Sequence, residues 1–336
     1  MKIFTWMISL KKQLKTVNSN QMKKLVIIGL IALLACSPEV KNGELIFTEA
    51  RPENGFNFPY FLFIPDDINP DEKLVLIAEP NNSGFVSDDF EKHIEKAQRT
   101  ASRDFYTGNY VARKLKYPLL VPVFPRPEID WKIYTHAFDH DVARQKGNEL
   151  ERIDLQLLAM VEDAKKKLAE KGFWLNDKFL MTGFSASGTF VNRFTAVHPE
   201  KVLAAAAGGL NGLLIIPFSE LENEPLNFPL GVNDFQNLFG KPFNAEAFKN
   251  TPQFLFMGEL DDNDAIPYED GYDLDERELV FKLLGEEMQP ARWQKCREIY
   301  GQENVNATIK TFPGIGHEQP KAVKDEIVKF FKKQLD

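Results

Sequence analysis

Cysteine is nearly absent from this chain: 336 residues contain two, Cys36 and Cys296. Two cysteines cannot build the multi-bridge framework that staples small secreted domains, and no cysteine-rich metal knuckle can be assembled from them. Histidine is scarce too. The five are His93, His136, His140, His198 and His317, so chemistry that needs an imidazole base has few candidates. Basic residues are in deficit, with 41 Lys and Arg against 49 Asp and Glu, a net charge of −8. Such a body lacks the cationic footprint that a phosphate backbone requires, which argues against a nucleic-acid partner. No internal repeat and no low-complexity tract interrupts the chain. What it has in quantity is apolar and aromatic: 43% hydrophobic residues and 28 Phe, ample for a large core. At this length the chain exceeds the usual domain size, yet α/β folds of such length often form one domain.

The one long apolar run lies at the start. Met22-Lys23-Lys24 leads into Leu25 to Ala35, a basic start followed by about a dozen apolar residues. That pattern fits a secretory signal and is short for a membrane span. Its end, Leu33-Leu34-Ala35-Cys36, resembles the bacterial lipobox, in which the cysteine is acylated and becomes the new N-terminus. Cys36 is therefore the expected lipidation site, residues 22–35 the signal peptide, residues 36–43 a tether and residues 1–21 a dispensable extension. The expected location is the bacterial cell envelope, with the lipid bilayer as partner through the acyl anchor. Residues 1–35 hold six Lys and no acid, so their removal shifts the net charge from −8 to −14. With Cys36 lipidated, Cys296 has no partner, and its place in a helical pattern marks a packed thiol.

From residue 44 onward strands and helices alternate. Apolar stretches Leu45–Phe47, Tyr60–Ile64, Leu74–Ala78 and Leu119–Phe124 read as strands, with a helical stretch from Asp88 to Lys116 that Gly108-Asn109 interrupts. Glu149 to Lys171 is the clearest helix: Ile153, Leu157, Met160, Val161, Ala164 and Leu168 recur at three- and four-residue spacing, and Gly172 closes it. Strands at Phe179–Met181, Val202–Ala207, Gln253–Met257 and around Ile309 follow, with helices at Thr189–Val197, Leu274–Tyr300 and Pro320–Leu335. This alternation predicts an α/β fold, a mostly parallel sheet with helices on both faces. Between Asn211 and Thr251 regularity fails. Four prolines interleave with six phenylalanines there, so the segment is either a lid over the site or an irregular loop packed by its own aromatic rings.

The most informative stretch is Lys178 to Gly188. An apolar strand runs into Gly183-Phe184-Ser185-Ala186-Ser187, read as a G-x-S-x-G elbow with the small residue Ser187 in its last place, and then into a helix. A serine between small residues at a strand-to-helix turn is held in a strained backbone with its hydroxyl raised above the sheet edge. The hydroxyl is a poor nucleophile until a base takes its proton and an acid orients that base. Here the chain resembles the α/β-hydrolase superfamily, whose order is serine, acid, histidine. Only His198 and His317 come late enough. His198 reads as an exposed helix end, whereas His317 sits in a glycine-bracketed loop after a strand, where the superfamily carries its histidine. The acid lies three residues past Gly258 in the family pattern, which selects Asp261. The apolar-Pro pair that follows comes two residues late, which keeps Asp264 and, more weakly, Asp262 in competition. The resemblance further implies an oxyanion hole made by the backbone N–H of Ala186 and that of Asn81 or Asn82, after the third strand, where no H-G-G-G motif is present.

The resemblance covers most of residues 44–336 and places the insertion 211–251 after the sixth strand as a cap. Within the superfamily it points to the polyhydroxybutyrate-depolymerase-like and feruloyl-esterase-like group. What it implies is an envelope-anchored serine hydrolase with the triad Ser185, Asp261 and His317, acting without cofactor on a small-molecule or saccharide-linked ester. Two alternatives stand beside it: a prolyl-peptidase-like peptidase, and a non-catalytic binding lipoprotein on the hydrolase fold. His136 and His140 with Asp139 and Asp141 suggest a metal, but the H-x-x-x-H pattern lacks the Glu after its first histidine, and no metal is expected. Residues 126–141 are expected instead to face substrate through Trp131, Tyr134 or His136.

Overall fold

The computed structural model describes residues 42–81, 84–269 and 271–335. The expected signal peptide, Cys36 and most of the expected tether lie outside the described residues. The remainder is organised by a sheet whose inner strands are too apolar to leave either face in water. The strands of this main sheet are β1 (Gly43–Thr48), β2 (Tyr60–Pro65), β3 (Ile77–Ala78), β4 (Leu119–Pro122), β5 (Phe179–Phe184), β6 (Val202–Gly208), β7 (Gln253–Gly258) and β8 (Ala307–Phe312). All residues of β2, β4, β5 and β7 are buried, as expected where helices cover both faces. Their order across the sheet is β1-β2-β4-β3-β5-β6-β7-β8. β2 runs antiparallel to β1 and to β4, and every other pairing is parallel.

Helices α1 (Phe90–Ser102), α2 (Thr107–Leu115), α3 (Ile153–Glu170), α4 (Ala186–Val197), α5 (Phe235–Phe239), α6 (Ala245–Asn250), α7 (Leu274–Leu284), α8 (Trp293–Gln302) and α9 (Lys321–Leu335) fill the connections. The apolar stripe of α3 is buried as its spacing predicts, with Ile153, Leu157, Met160, Val161, Ala164 and Leu168 all in the core. Burying each of the larger side chains is worth about 1.5–3 kcal/mol. No helix among the described residues is long and apolar enough to cross a membrane.

The predicted interruptions move. The break in the first helical stretch falls at 103–106, and Gly108-Asn109 lies inside α2. Gly108 is there for proximity: a Cβ would overlap the Glu79 carboxyl. The stretch 274–300 divides at Gly285, which adopts φ 106°, and Pro290, which has no N–H to give a helix. The insertion after β6 buries its rings. Phe228, Phe235 and Phe239 pack edge-to-face with one another, and Phe228 and Phe239 also meet Phe138, at centroid distances of 5.1–6.1 Å.

Candidate active site

Ser185 joins β5 to α4 with φ 58° and ψ −128°, a strained conformation for a residue with a side chain. The turn is held from three sides. The N–H of Ser185 donates to the Gly208 carbonyl at 2.9 Å. Ser187 is buried, accepts from the Phe184 N–H at 2.9 Å and donates to the Phe184 carbonyl at 3.0 Å. A Cβ at Gly183 would overlap the Ser187 carbonyl, and one at Gly188 would overlap that of Gly208. The second glycine of the elbow pattern is thus displaced by one position, to Gly188. Ser187 stands in its place because its hydroxyl is absorbed by the turn.

Asp261 and His317 come together because β7 and β8 are parallel neighbours with Gly258 opposite Phe312. Beyond that pair the two loops stay joined: Glu259 N–H donates to Phe312 O, Leu260 N–H to Ile315 O, and Gly314 N–H to the Glu259 carboxylate. Gly258 makes this possible, since a Cβ there would overlap the carbonyls of Ile315 and Gly316. The result places His317 Nδ1 3.0 Å from both carboxylate oxygens of the buried Asp261. The imidazole leans on the Phe184 ring at 4.7 Å, beside Gly209, whose φ of 65° and missing Cβ leave it room. Ser185 and His317 open onto one cavity of about 590 Å³.

The competing acid is occupied elsewhere. Both oxygens of Asp264 bind the fully buried Arg292 guanidinium, at 3.0 and 2.8 Å, and Arg292 also donates to the carbonyls of Asn211 and Glu286. Asp262 is exposed. The late apolar-Pro pair reflects two extra residues that bring Asp264 to Arg292 and leave Asp261 in place. His198 departs from expectation: it is buried, with Nε2 2.8 Å from Asp154 Oδ2. Burial alone would raise the Asp154 pKa, but hydrogen bonds from Arg152 and His198 outweigh it and hold the carboxyl at about 2.

Ala186 opens α4, so its N–H is one of those a helix leaves without an internal partner. Asn81 follows β3 in a buried loop, and neither atom of its side-chain amide has a hydrogen-bond partner. Asn82 lies outside the described residues. The expected substrate-facing cluster is not at the cavity. His136 is buried with Nε2 2.7 Å from the Phe124 carbonyl, Tyr134 stacks on the Arg126 guanidinium, and neither they nor Trp131 line it. No described residue of the 211–251 insertion lines it either.

The cavity instead brings forward residues that sequence reading passed over: Glu79, Lys96 and Thr107. Glu79 follows β3 directly and accepts from the Gly108 N–H at 2.9 Å, a free donor in the first turn of α2. Its burial raises the carboxyl to about 8, against the partial offset of that hydrogen bond and of the charges on Lys96 and Lys324. Thr107 is buried with its hydroxyl unpartnered, and Lys96 Nζ lies 5.0 Å from the Tyr106 ring centroid. An acid closing a central strand next to the oxyanion loop was the available signal for Glu79.

No family model and no curated protein matches the sequence. Solved structures do match in fold. A poly(aspartic acid) hydrolase from Sphingomonas sp. KT-1 aligns with a TM-score of 0.55 at 16% identity, over 86% of this chain and 97% of that one. A poly(3-hydroxybutyrate) depolymerase from Bordetella parapertussis aligns with a TM-score of 0.51 at 16% identity, over 87% and 89%. With the strand order above, these matches establish that the chain has the α/β-hydrolase fold.

Proposed function

We propose that this protein is a serine hydrolase that cleaves an ester through an acyl-enzyme. The observation that carries the reading is the convergence of a strained Ser185 and an Asp261-bound His317 on one cavity. In the proposed reaction Ser185 Oγ attacks the acyl carbon while His317 Nε2 accepts its proton. Asp261, bound at Nδ1, fixes the tautomer and stabilises the imidazolium. The oxyanion forms beside the Ala186 N–H, with the Asn81–Asn82 loop as the second donor. His317 returns the proton to the leaving alkoxide, and water then repeats the sequence on the acyl-enzyme to release the acid. A neutral Glu79 suits this course, since an anion in the cavity wall would oppose the developing negative charge. The fold neighbours, described as a poly(aspartic acid) hydrolase and a poly(3-hydroxybutyrate) depolymerase, support hydrolysis at an acyl carbon as the reaction class. The Leu33-Leu34-Ala35-Cys36 motif supports an acyl anchor in the bacterial envelope.

The test is covalent. A fluorophosphonate probe added to purified protein should label one residue, and peptide mapping should place the adduct on Ser185. An unlabelled protein under conditions that label a control serine hydrolase, or an adduct on another residue, would contradict the proposal.

A further inference from the structure

The search for chemistry outside this cavity leads to the segment between β4 and α3. There the H-x-x-x-H pair is split. His136 turns inward to Phe124, while His140, at the start of the one-turn helix His140–Ala143, faces the first turn of α7. Its Nδ1 lies 3.1 Å from Glu276 Oε1 and 3.7 Å from Asp273 Oδ2, and donor atoms of all three residues fall within 4.8 Å of one another. We propose that His140, Asp273 and Glu276 form a binding site for a divalent transition-metal ion of the zinc type, which joins the His140 helix to the start of α7.

Three observations support it. First, the His140 side chain is 9% exposed, its Nε2 has no hydrogen-bond partner, and its Nδ1 faces two carboxylates, Glu276 at 3.1 Å and Asp273 at 3.7 Å. An imidazole buried between two carboxylates needs a positive charge there, supplied by a proton or by a metal ion. Second, the spacing is one that two ligands of a single ion adopt. Two ligands about 2.1 Å from one ion and about 90–110° apart stand about 3.0–3.4 Å from each other, each off the other's lone-pair axis. Glu276 Oε1 sits at such a distance from the ring. Third, the second oxygen of Glu276 is already fixed. Oε2 accepts from the Asp273 N–H at 3.0 Å in the capping box of α7, so the carboxylate is oriented from outside, as metal-binding carboxylates are.

Charge and space agree. The hollow beside these residues has about 10 Å³ free, room for one ion, and Asp139, Asp141 and Glu269 also line it, while among the described residues no Lys or Arg does. Asp139 is spent on the N–H groups of Val142 and Tyr134, and Lys132 meets Glu269 from outside at 3.3 Å. Asp141, Asp273 and Glu276 remain, with Arg144 and Arg193 as nearby cations. One imidazole with two carboxylates suits zinc or a neighbouring first-row ion better than calcium or magnesium, which favour all-oxygen shells. The hollow shares no residue with the Ser185 cavity, so the ion's role is to hold α7, and through it the turn carrying Asp261 and Asp264, against the loop after β4.

The test uses the full protein stripped with a chelator, with zinc, manganese and calcium added separately, followed by calorimetric titration and thermal unfolding. Zinc should bind at one ion per chain and raise Tm by roughly 5 °C at a hundredfold excess over the dissociation constant. His140→Ala should abolish both effects. Should that variant fail to fold, Glu276→Gln, which keeps an oxygen for the capping box, and the half-exposed Asp273→Asn should each weaken zinc binding at least tenfold. Ser185→Ala should bind zinc as wild type does, which separates this outcome from that of the hydrolase reading. The proposal is overturned if the stripped protein takes up no zinc, or if uptake is unchanged in His140→Ala or in both carboxylate variants.

Discussion

On the proposed reading, Glu79 is the buried side chain that sets the working pH range of the cavity. Its carboxyl is held up to about 8 by burial, so near neutrality it is mostly protonated and adds no anion beside Ser185. As pH rises through about 8 the group ionises, and turnover should fall. Glu79→Gln keeps an acceptor for the Gly108 N–H and cannot ionise, so its pH–rate profile should lose that alkaline limb; an unchanged limb would remove Glu79 from the account. Stability follows the same group. The folded-state value lies above the ordinary 4.5, so the folded protein binds the proton more tightly and loses stability as pH climbs from about 4.5 to about 8. Denaturant midpoints at pH 5 and 8 should therefore fall further for wild type than for Glu79→Gln. Asp261 was legible in the sequence because its distance from Gly258 is local. Glu79 was not, because the burial that holds its proton comes from the close approach of α2, 29 residues away, which the missing Cβ of Gly108 permits.

At the scale of elements, the turn after β7 carries two acids with different work. Asp261 faces His317, and Asp264 neutralises the buried Arg292. Asp261→Asn should cut turnover by orders of magnitude, about 10⁴ in the serine-protease precedent, with little change in Tm. Asp264→Asn leaves a buried guanidinium short of its partner and should cost about 3–5 kcal/mol of stability, while the folded fraction keeps most of its turnover. Turnover and thermal unfolding measured on both variants decide it, and the reverse pattern would reassign the acid. Sequence periodicity placed α3 and the elbow helix because their apolar spacing is continuous. It misplaced the break between α1 and α2, since Gly108 reads as a breaker when its purpose is close approach. His198 looked like an exposed helix end because Asp154, its partner, lies 44 residues earlier on another helix.

At the scale of the molecule, two claims extend beyond the folded unit: where it resides and whether it is a catalyst. The lipobox-like end of the apolar run proposes an acylated Cys36. Expressed in a bacterial host, wild type should fractionate with membranes, and Cys36→Ser should remain unprocessed or soluble; a mature, unacylated N-terminus at another residue would contradict the anchor. The alternation of strands and helices gave the architecture from the sequence, and the serine and histidine loops with it, because strand order in a parallel sheet leaves few places for them. The cavity wall was beyond reach, since Lys96, Thr107 and Glu79 come from α1, α2 and the end of β3 and meet only in the folded unit. The central claim is that hydrolysis depends on one oxygen atom, and the measurement that tests it most directly is ester turnover by purified Ser185→Ala. The substitution removes only Oγ from a strained turn, so stability should change by less than about 1 kcal/mol and could rise. Turnover of an ester that wild type cleaves should disappear while the circular dichroism spectrum and Tm are retained. Wild-type turnover in that folded variant would mean that Ser185 is not the nucleophile, and the account of the site would fall with it.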